Sequence, residues 1–334
     1  MSSTTIRSGQ TIAGVDRERR RALALGAALL AAPLNGLTQQ PQKVWRIGIL
    51  VFENWERQID LLRDSLRELG LVEGQNIRFE LRNGQGSIAA LPALAAELAR
   101  LNVDAILTLH TPAAHAAKAA TSSIPIVAWA ADLVGTGVIA SLARPGGNIT
   151  GVSTVGTELA AKNLEILREL LPAARRVGVL ANAGDLFTPV LLKSLNQAGA
   201  LLGIELRTTQ VRAEGDYEAA FTGWLRPRVD AVFHQPSLPA PPAIVLALRH
   251  RLPTLSIGVG FSRSGGLLSY SVSLKNSAQR AAYLLNRILK GDKPANLPAE
   301  QPTRFDLAIN LKTARAIGVK VPHSLLNRAD EVIE

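Results

Sequence analysis

Two short stretches carry residues that could hold a small charged molecule. "LHTPAAH", Leu109 to His115, ends a β-branched run and opens a helical pattern. Thr111 can cap that helix, Pro112 suits its first position, and the backbone amides of Ala113 and Ala114 are left to face an anion such as a carboxylate. The same residues also make an ordinary helix start. In "WAADLVGTGVIASL", Asp132 follows directly on a buried apolar run, where a carboxylate could hold an ammonium; a helix cap is its competing role. An anion site and a carboxylate on neighbouring strand ends suit a zwitterion, such as an amino acid.

Other patterns offer less chemistry. Gly135-x-Gly137-x-x-Ala140 has the spacing of a dinucleotide fingerprint, but it follows a fourth strand rather than a first. No strand-end acid stands about twenty residues later to hold a ribose. It reads as a glycine turn before a helix. The five histidines show no metal spacing, and "GVSTVG" lacks the second glycine of a nucleophile elbow. His110 and His234 each end a strand facing the expected cleft, with no acid evident for either in the sequence, which favours polar ligand contact over general-base work. The expectation is a binding protein with no catalytic residues, no metal and no cofactor.

These residues need a scaffold that brings strand ends together, and the sequence describes one twice. "NVDAILTLHTPAA" from Asn102 is echoed by "RVDAVFHQPS" from Arg228, with similar helices upstream and "IPIVAWA" and "LPTLSIG" downstream. From Val44 onward, short β-branched runs alternate with amphipathic helical patterns, which calls for parallel strands joined by right-handed crossovers. The fold class expected is α/β, with two doubly wound parallel-sheet lobes and a ligand cleft between them. The tail adds a strand-helix-strand-helix set shared by both. Residues 44–154 with about 273–302 are assigned to an N-terminal lobe. Residues 155–272 with about 303–334 are assigned to a C-terminal lobe.

Charge and the first residues bear on location. Five arginines against Asp16 and Glu18 give the first 38 residues a net charge of +3, leaving +7 of the total +10 for the rest. Those remaining charges are interleaved along helices, with no basic run carrying aromatics, so nucleic acid is not an expected partner. The apolar run Ala22–Ala32 is too short to span a bilayer of about 30 Å and fits a secretory h-region behind Arg19-Arg20. Residues 1–38 are therefore expected to be an export signal, of twin-arginine or Sec type. With no cysteine there is neither a disulfide nor a lipid attachment site. A soluble periplasmic monomer is expected after cleavage.

The chain resembles the ABC-transporter substrate-binding family that includes tryptophan/tyrosine-transport-type binding proteins. The resemblance is carried by "RELGLVEGQNIRFELR", "IPIVAWAADLVGTGVIASLARPGGNITGVS" and "ILKGDKPANLPAEQPTRFDLAINLKTARAIGVKVPHSLLNRADEVIE". It implies a type I periplasmic-binding fold whose lobes close on a small-molecule ligand and deliver it to an ABC permease in the inner membrane. It also implies ligand contacts from the loops of Thr111 and Asp132 and from second-lobe loops near Asn182, Gln235 and Gly258. Trp55, Trp129 and Tyr270 are further cleft candidates. Where many relatives follow "LLSY" with Gly-Pro-Asp or Gly-Pro-Asn, this chain has Ser271-Val272-Ser273. "HQPS" also replaces an expected Asp-Asn pair, so the relatives' ligand preference does not carry over. A cytoplasmic nucleotide-linked enzyme and the ligand-binding module of a regulator or sensor share the architecture and stay open as alternatives.

Overall fold

The computed structural model describes residues 1–2, 43–52 and 56–334. Most of the expected export signal, and Trp55, lie outside the described residues. In chain order the first lobe runs β1 (Trp45–Val51), α1 (Glu56–Glu68), β2 (Ile77–Asn83), α2 (Leu91–Arg100), β3 (Ala105–Leu109), α3 (Thr111–Ala120), β4 (Ile126–Ala131) and β5 (Ile149–Thr154). The second lobe follows with α4 (Gly156–Leu170), β6 (Arg176–Asn182), α5 (Thr188–Leu202), β7 (Glu205–Val211), α6 (Tyr217–Gly223), β8 (Ala231–His234), α7 (Ala240–Arg249), β9 (Thr254–Ser256) and β10 (Leu268–Val272). Then come α8 (Leu274–Leu289), β11 (Phe305–Asn310), α9 (Leu311–Ile317), α10 (His323–Arg328) and β12 (Glu331–Ile333).

The strands form two sheets, of order β2-β1-β3-β4-β5 and β12-β11-β10-β9-β8-β6-β7. The first sheet is parallel throughout, and its central strand β3 (AILTL) is buried at all five positions. An unbroken apolar run is what a strand covered on both faces requires. Helices cover those faces with apolar stripes: α1 buries Ile59, Leu62 and Leu66 at helical spacing. Each sheet has an apolar core on both of its faces.

Reading β7-β6-β8-β9-β10 beside β2-β1-β3-β4-β5 shows one strand order built twice, and explains the echo in the sequence. In each copy the Val-Asp-Ala triplet leads into the third strand. Val103 and Val229 are buried beneath the two sheets. The aspartates tie the entrance of the first strand of their own lobe. Asp104 Oδ2 accepts from the Arg46 amide at 2.8 Å, and Asp230 Oδ2 accepts from the Arg175 and Arg176 amides at 2.7 and 2.9 Å. The repeated residues therefore serve register and packing rather than binding.

The chain passes between the sheets after β5, after β10 and before β11. Helix α8 packs on α1 and on β3 to β5. The segment after it stays with the first sheet: Ser153 N donates to Glu300 O, and Glu300 N donates to Gly151 O. Crossing segments touch, since Ser273 N donates to Arg304 O at 2.9 Å. One strand leaves the second lobe here and the other enters it, so β10 and β11 pair antiparallel. This departs from the expectation of parallel pairing. Another departure is that Gly135–Ala140 lies in a run of turns with no helix before β5. The short α10 and β12 were not anticipated, being too brief to show a period. No helix among the described residues is long and apolar enough to cross a membrane.

Candidate functional site

A cavity of about 80 Å³ lies between the carboxyl ends of the two sheets. In open α/β sheets these ends are where helix N-termini and strand-end side chains converge. The first lobe contributes Thr111 and Trp129–Ala131. The second contributes Asp185, Phe187, Gln235–Ser237 and Ile257–Val259. A larger chamber of about 360 Å³ adjoins it, and His110, Pro236, Gly258 and Val259 line both. At the rim the lobes touch. A Cβ placed on Gly184 would lie 3.3 Å from Ile88 Cδ1, and one on Gly86 would lie 3.4 Å from Pro239 Cγ. The cleft is closed.

One wall is the start of α3. His110 precedes it with φ 76° and ψ 154°, a conformation that L-residues rarely adopt. This turn aims the helix N-terminus at the cavity. Thr111 Oγ1 donates to Ala131 O at 3.3 Å, fastening the helix start to β4. Ala114 N donates to His110 O at 3.1 Å, so that amide is spent within the first turn. The Thr111 and Ala113 amides find no backbone acceptor among the described residues. They carry the partial positive charge of a helix N-terminus.

The opposing wall is a buried polar network centred on Asp185, which is 5% exposed. Asp185 Oδ1 accepts from the Phe187 amide at 2.9 Å, and Oδ2 accepts from Gln235 Nε2 at 2.9 Å. Gln235 is fixed in turn, because its Oε1 accepts from the Asn182 amide at 3.0 Å and from Thr188 Oγ1 at 2.9 Å. Burial pushes the Asp185 carboxyl above the usual carboxylate range; hydrogen bonds from Ser237, Phe187 and Gln235 oppose it. His115 also attracts the carboxylate, and a cation entering the cavity would stabilise it further. His110 and His234 are not that cation: burial lowers them to about 3 and about 4, so both are neutral imidazoles.

Of the residues singled out in the sequence, the structure brings His110, Thr111, Trp129, Gln235 and Gly258 to the cavity, and His234 to the adjoining chamber. Ala113 and Ala114 are fully buried behind it. Asn182 supports the site from beneath: its Nδ2 donates to Ser237 O at 2.5 Å and its Oδ1 accepts from Gly184 N at 2.9 Å. Tyr270 sits in the middle of β10 against the Phe305 ring. Asp132 is not at the cavity. With φ 37° the chain folds back after β4, and the Asp132 carboxylate accepts from Gly135 N at 2.8 Å within its own turn. It closes its own turn, and no helix starts there for it to cap.

Asp185 and Phe187 were passed over, yet a signal for them exists. "FTPV" at Phe187–Val190 repeats the Thr-Pro helix start of "HTPA" at His110–Ala113, and it follows the first strand of the second lobe. A carboxylate two residues before such a start lies at a strand end of the repeated fold.

Two α/β lobes closed over a cavity with a helix N-terminus on one wall and a buried carboxylate on the other define a protein that encloses a small solute. The sequence matches the family described as ABC transporter substrate binding protein over residues 53–333, and the chain belongs to that family. It is a solute-binding protein of an ABC transporter, not an enzyme. It is 24% identical over 265 residues to the tyrosine-binding protein of Clostridioides difficile (strain R20291), covering 77% of this chain and 75% of that one. Among solved structures, a conserved domain protein of Vibrio cholerae is 25% identical with a TM-score of 0.80, over 87% of this chain and 100% of that one. The ABC domain of a Streptococcus pneumoniae protein, in complex with L-Trp, is 23% identical with a TM-score of 0.78, over the same shares.

Proposed function

We propose that this protein is the periplasmic receptor of an amino-acid importer, capturing a zwitterion between its lobes and handing it unchanged to a membrane permease. The observation that carries this reading is the pairing of opposite polarity in one cavity. The α3 start, with Thr111 at the cavity wall, faces the ligand carboxylate. Asp185 replaces Asp132 as the partner of the ammonium. Gln235 and Gly258 complete the second-lobe wall, and Asn182 holds that wall in place. Contacts from both lobes exist together only in the closed form, so the ligand shifts the population toward closure. The amino-acid ligands named for the relatives in Clostridioides difficile and Streptococcus pneumoniae support the class of ligand. The arginine-led apolar segment before Gln39 supports export.

A thermal-shift screen of the chain from Val44 onward tests this reading, with amino acids, sugars and small dicarboxylates as three arms. A ligand at 100 times its dissociation constant adds about 2.7 kcal/mol to stability. Stabilisation by one or more amino acids and by neither other arm is the expected result. Stabilisation confined to sugars or dicarboxylates overturns it.

A further inference from the structure

The larger chamber beside the cavity is lined by a polar side chain whose hydrogen-bonding capacity is unused. His234, the last residue of β8, lines that chamber of about 360 Å³ and is 2% exposed. Neither of its ring nitrogens has a hydrogen-bond partner among the described residues. We infer that His234 is a specificity residue: it holds the end of the ligand's side chain, and that end is a neutral hydrogen-bonding group, an amide or a hydroxyl. This rests on the amino-acid reading above.

Placement is the first argument. The chamber is continuous with the cavity, since His110, Pro236, Gly258 and Val259 line both. A zwitterion with its head group between Thr111 and Asp185 can therefore extend its side chain into the chamber. The His234 ring is held on the second-lobe side, stacked on Phe261 with centroids 5.3 Å apart and planes 22° apart. Its backbone is fixed as well, because the His234 carbonyl accepts from Ser256 Oγ at 2.8 Å. A ring fastened in this way does not swing to find partners elsewhere.

Chemistry is the second argument. Burial lowers His234 to about 4, so the ring is neutral near pH 7. The carbonyls of Pro239 and of His234 itself oppose that drop from nearby, yet neither completes a hydrogen bond with the ring. A neutral imidazole offers one N–H donor and one acceptor nitrogen. Buried polar atoms are almost always paired, and leaving one unpaired is costly. A ligand group that pairs it removes that cost.

The same surroundings select against a charged end. Burial that keeps the ring uncharged also penalises a ligand charge placed beside it. Arg263 of the chamber is already engaged by Glu331, and the first turn of α1 brings Glu56 and Arg57, one of each sign. An amide or hydroxyl both donates and accepts, so it serves either tautomer of His234. An aliphatic end or a bare ring leaves the nitrogens unpaired.

Calorimetric titration with four pairs of amino acids of matched shape tests the inference: L-glutamine and L-methionine, L-asparagine and L-leucine, L-threonine and L-valine, L-tyrosine and L-phenylalanine. In the parent, the polar member of at least one pair should bind tenfold or more tightly than its apolar match, and glutamine or asparagine should bind more tightly than glutamate or aspartate. His234→Phe keeps a ring against Phe261 and removes both nitrogens. It should erase most of that preference, while the thermal midpoint of the ligand-free protein holds or rises. His234→Gln, which keeps a donor and an acceptor, should retain more of the preference than His234→Phe. No pair led tenfold by its polar member, tighter binding of the charged amino acids, or a folded His234→Phe that keeps the preference or weakens both members alike overturns the inference while leaving the amino-acid reading intact. A parent that binds none of the twenty amino acids overturns both.

Discussion

Replacing Asp185 with Asn keeps the side-chain shape and removes the charge, so it separates an ammonium partner from a loop residue. In the parent, Asp185 Oδ1 accepts from the Phe187 amide and Oδ2 accepts from Gln235 Nε2. Gln235 cannot turn its amide over without losing the Asn182 amide and Thr188 hydroxyl as donors. One oxygen of Asp185 must become an NH₂ facing an N–H donor, so the variant also gives up one internal hydrogen bond. For binding, the loss is a charge-assisted hydrogen bond, roughly 1.5–3 kcal/mol, or about one to two decades in dissociation constant. The pH dependence carries a sign. Burial raises the folded-state value above the ordinary 3.8, so between 3.8 and that raised value the folded chain keeps a proton the unfolded chain has lost. The stability of the ligand-free parent relative to Asp185→Asn should therefore fall as pH rises through that window. Its affinity for an amino acid should rise over the same window, because the ionised carboxylate holds the ammonium. Titration calorimetry and thermal melts from pH 4 to 8 measure both. Equal affinities in parent and variant at pH 7, or an affinity independent of pH in that range, refute the role given to Asp185.

Gly156→Ala should weaken ligand binding and lower the thermal midpoint together, because its methyl would lie 2.8 Å from Phe187 Cζ and push that ring toward the cavity; calorimetry and melting on one preparation read both. Thr111→Ala should weaken binding less than Asp185→Asn, since the helix N-terminus and its amides remain. Asp230→Ala, which leaves two strand-entrance amides without their acceptor, should cost about 1–3 kcal/mol of stability, and Asp104→Ala, which frees one, should cost less; chemical denaturation orders them. Expression of the full chain followed by fractionation should yield a periplasmic form beginning near Gln39, and full-length protein confined to the cytoplasm would contradict export.

The architecture was readable because it rests on repeated short-range signals. Buried strands such as β3 are continuous apolar runs, helices such as α1 carry a stripe, and Val-Asp-Ala marks the same structural position twice. The site was readable only in part. Thr111 has a local signature, a Thr-Pro helix start after a strand, and it lies at the cavity. Asp132 has a local signature too, but a backbone turn with φ 37° decides where its carboxylate points, and nothing in its neighbours' types announces that. Asp185 acquires its character from Gln235, fifty residues on, and from burial between lobes. Contacts of that kind depend on the whole fold. The antiparallel β11 was hidden for a similar reason: its direction follows from where the chain crosses between lobes, not from its own alternation.

The most direct test of the account is a crystal structure of the chain from Val44 onward with the amino acid that binds it most tightly in the screen. The account predicts an intact amino acid in the cavity between the lobes, its ammonium within hydrogen-bonding distance of Asp185 and its carboxylate at the α3 start beside Thr111. A ligand bound outside that cavity, or one whose ammonium is held by another group while Asp185 keeps only its contacts to Phe187 and Gln235, would contradict it.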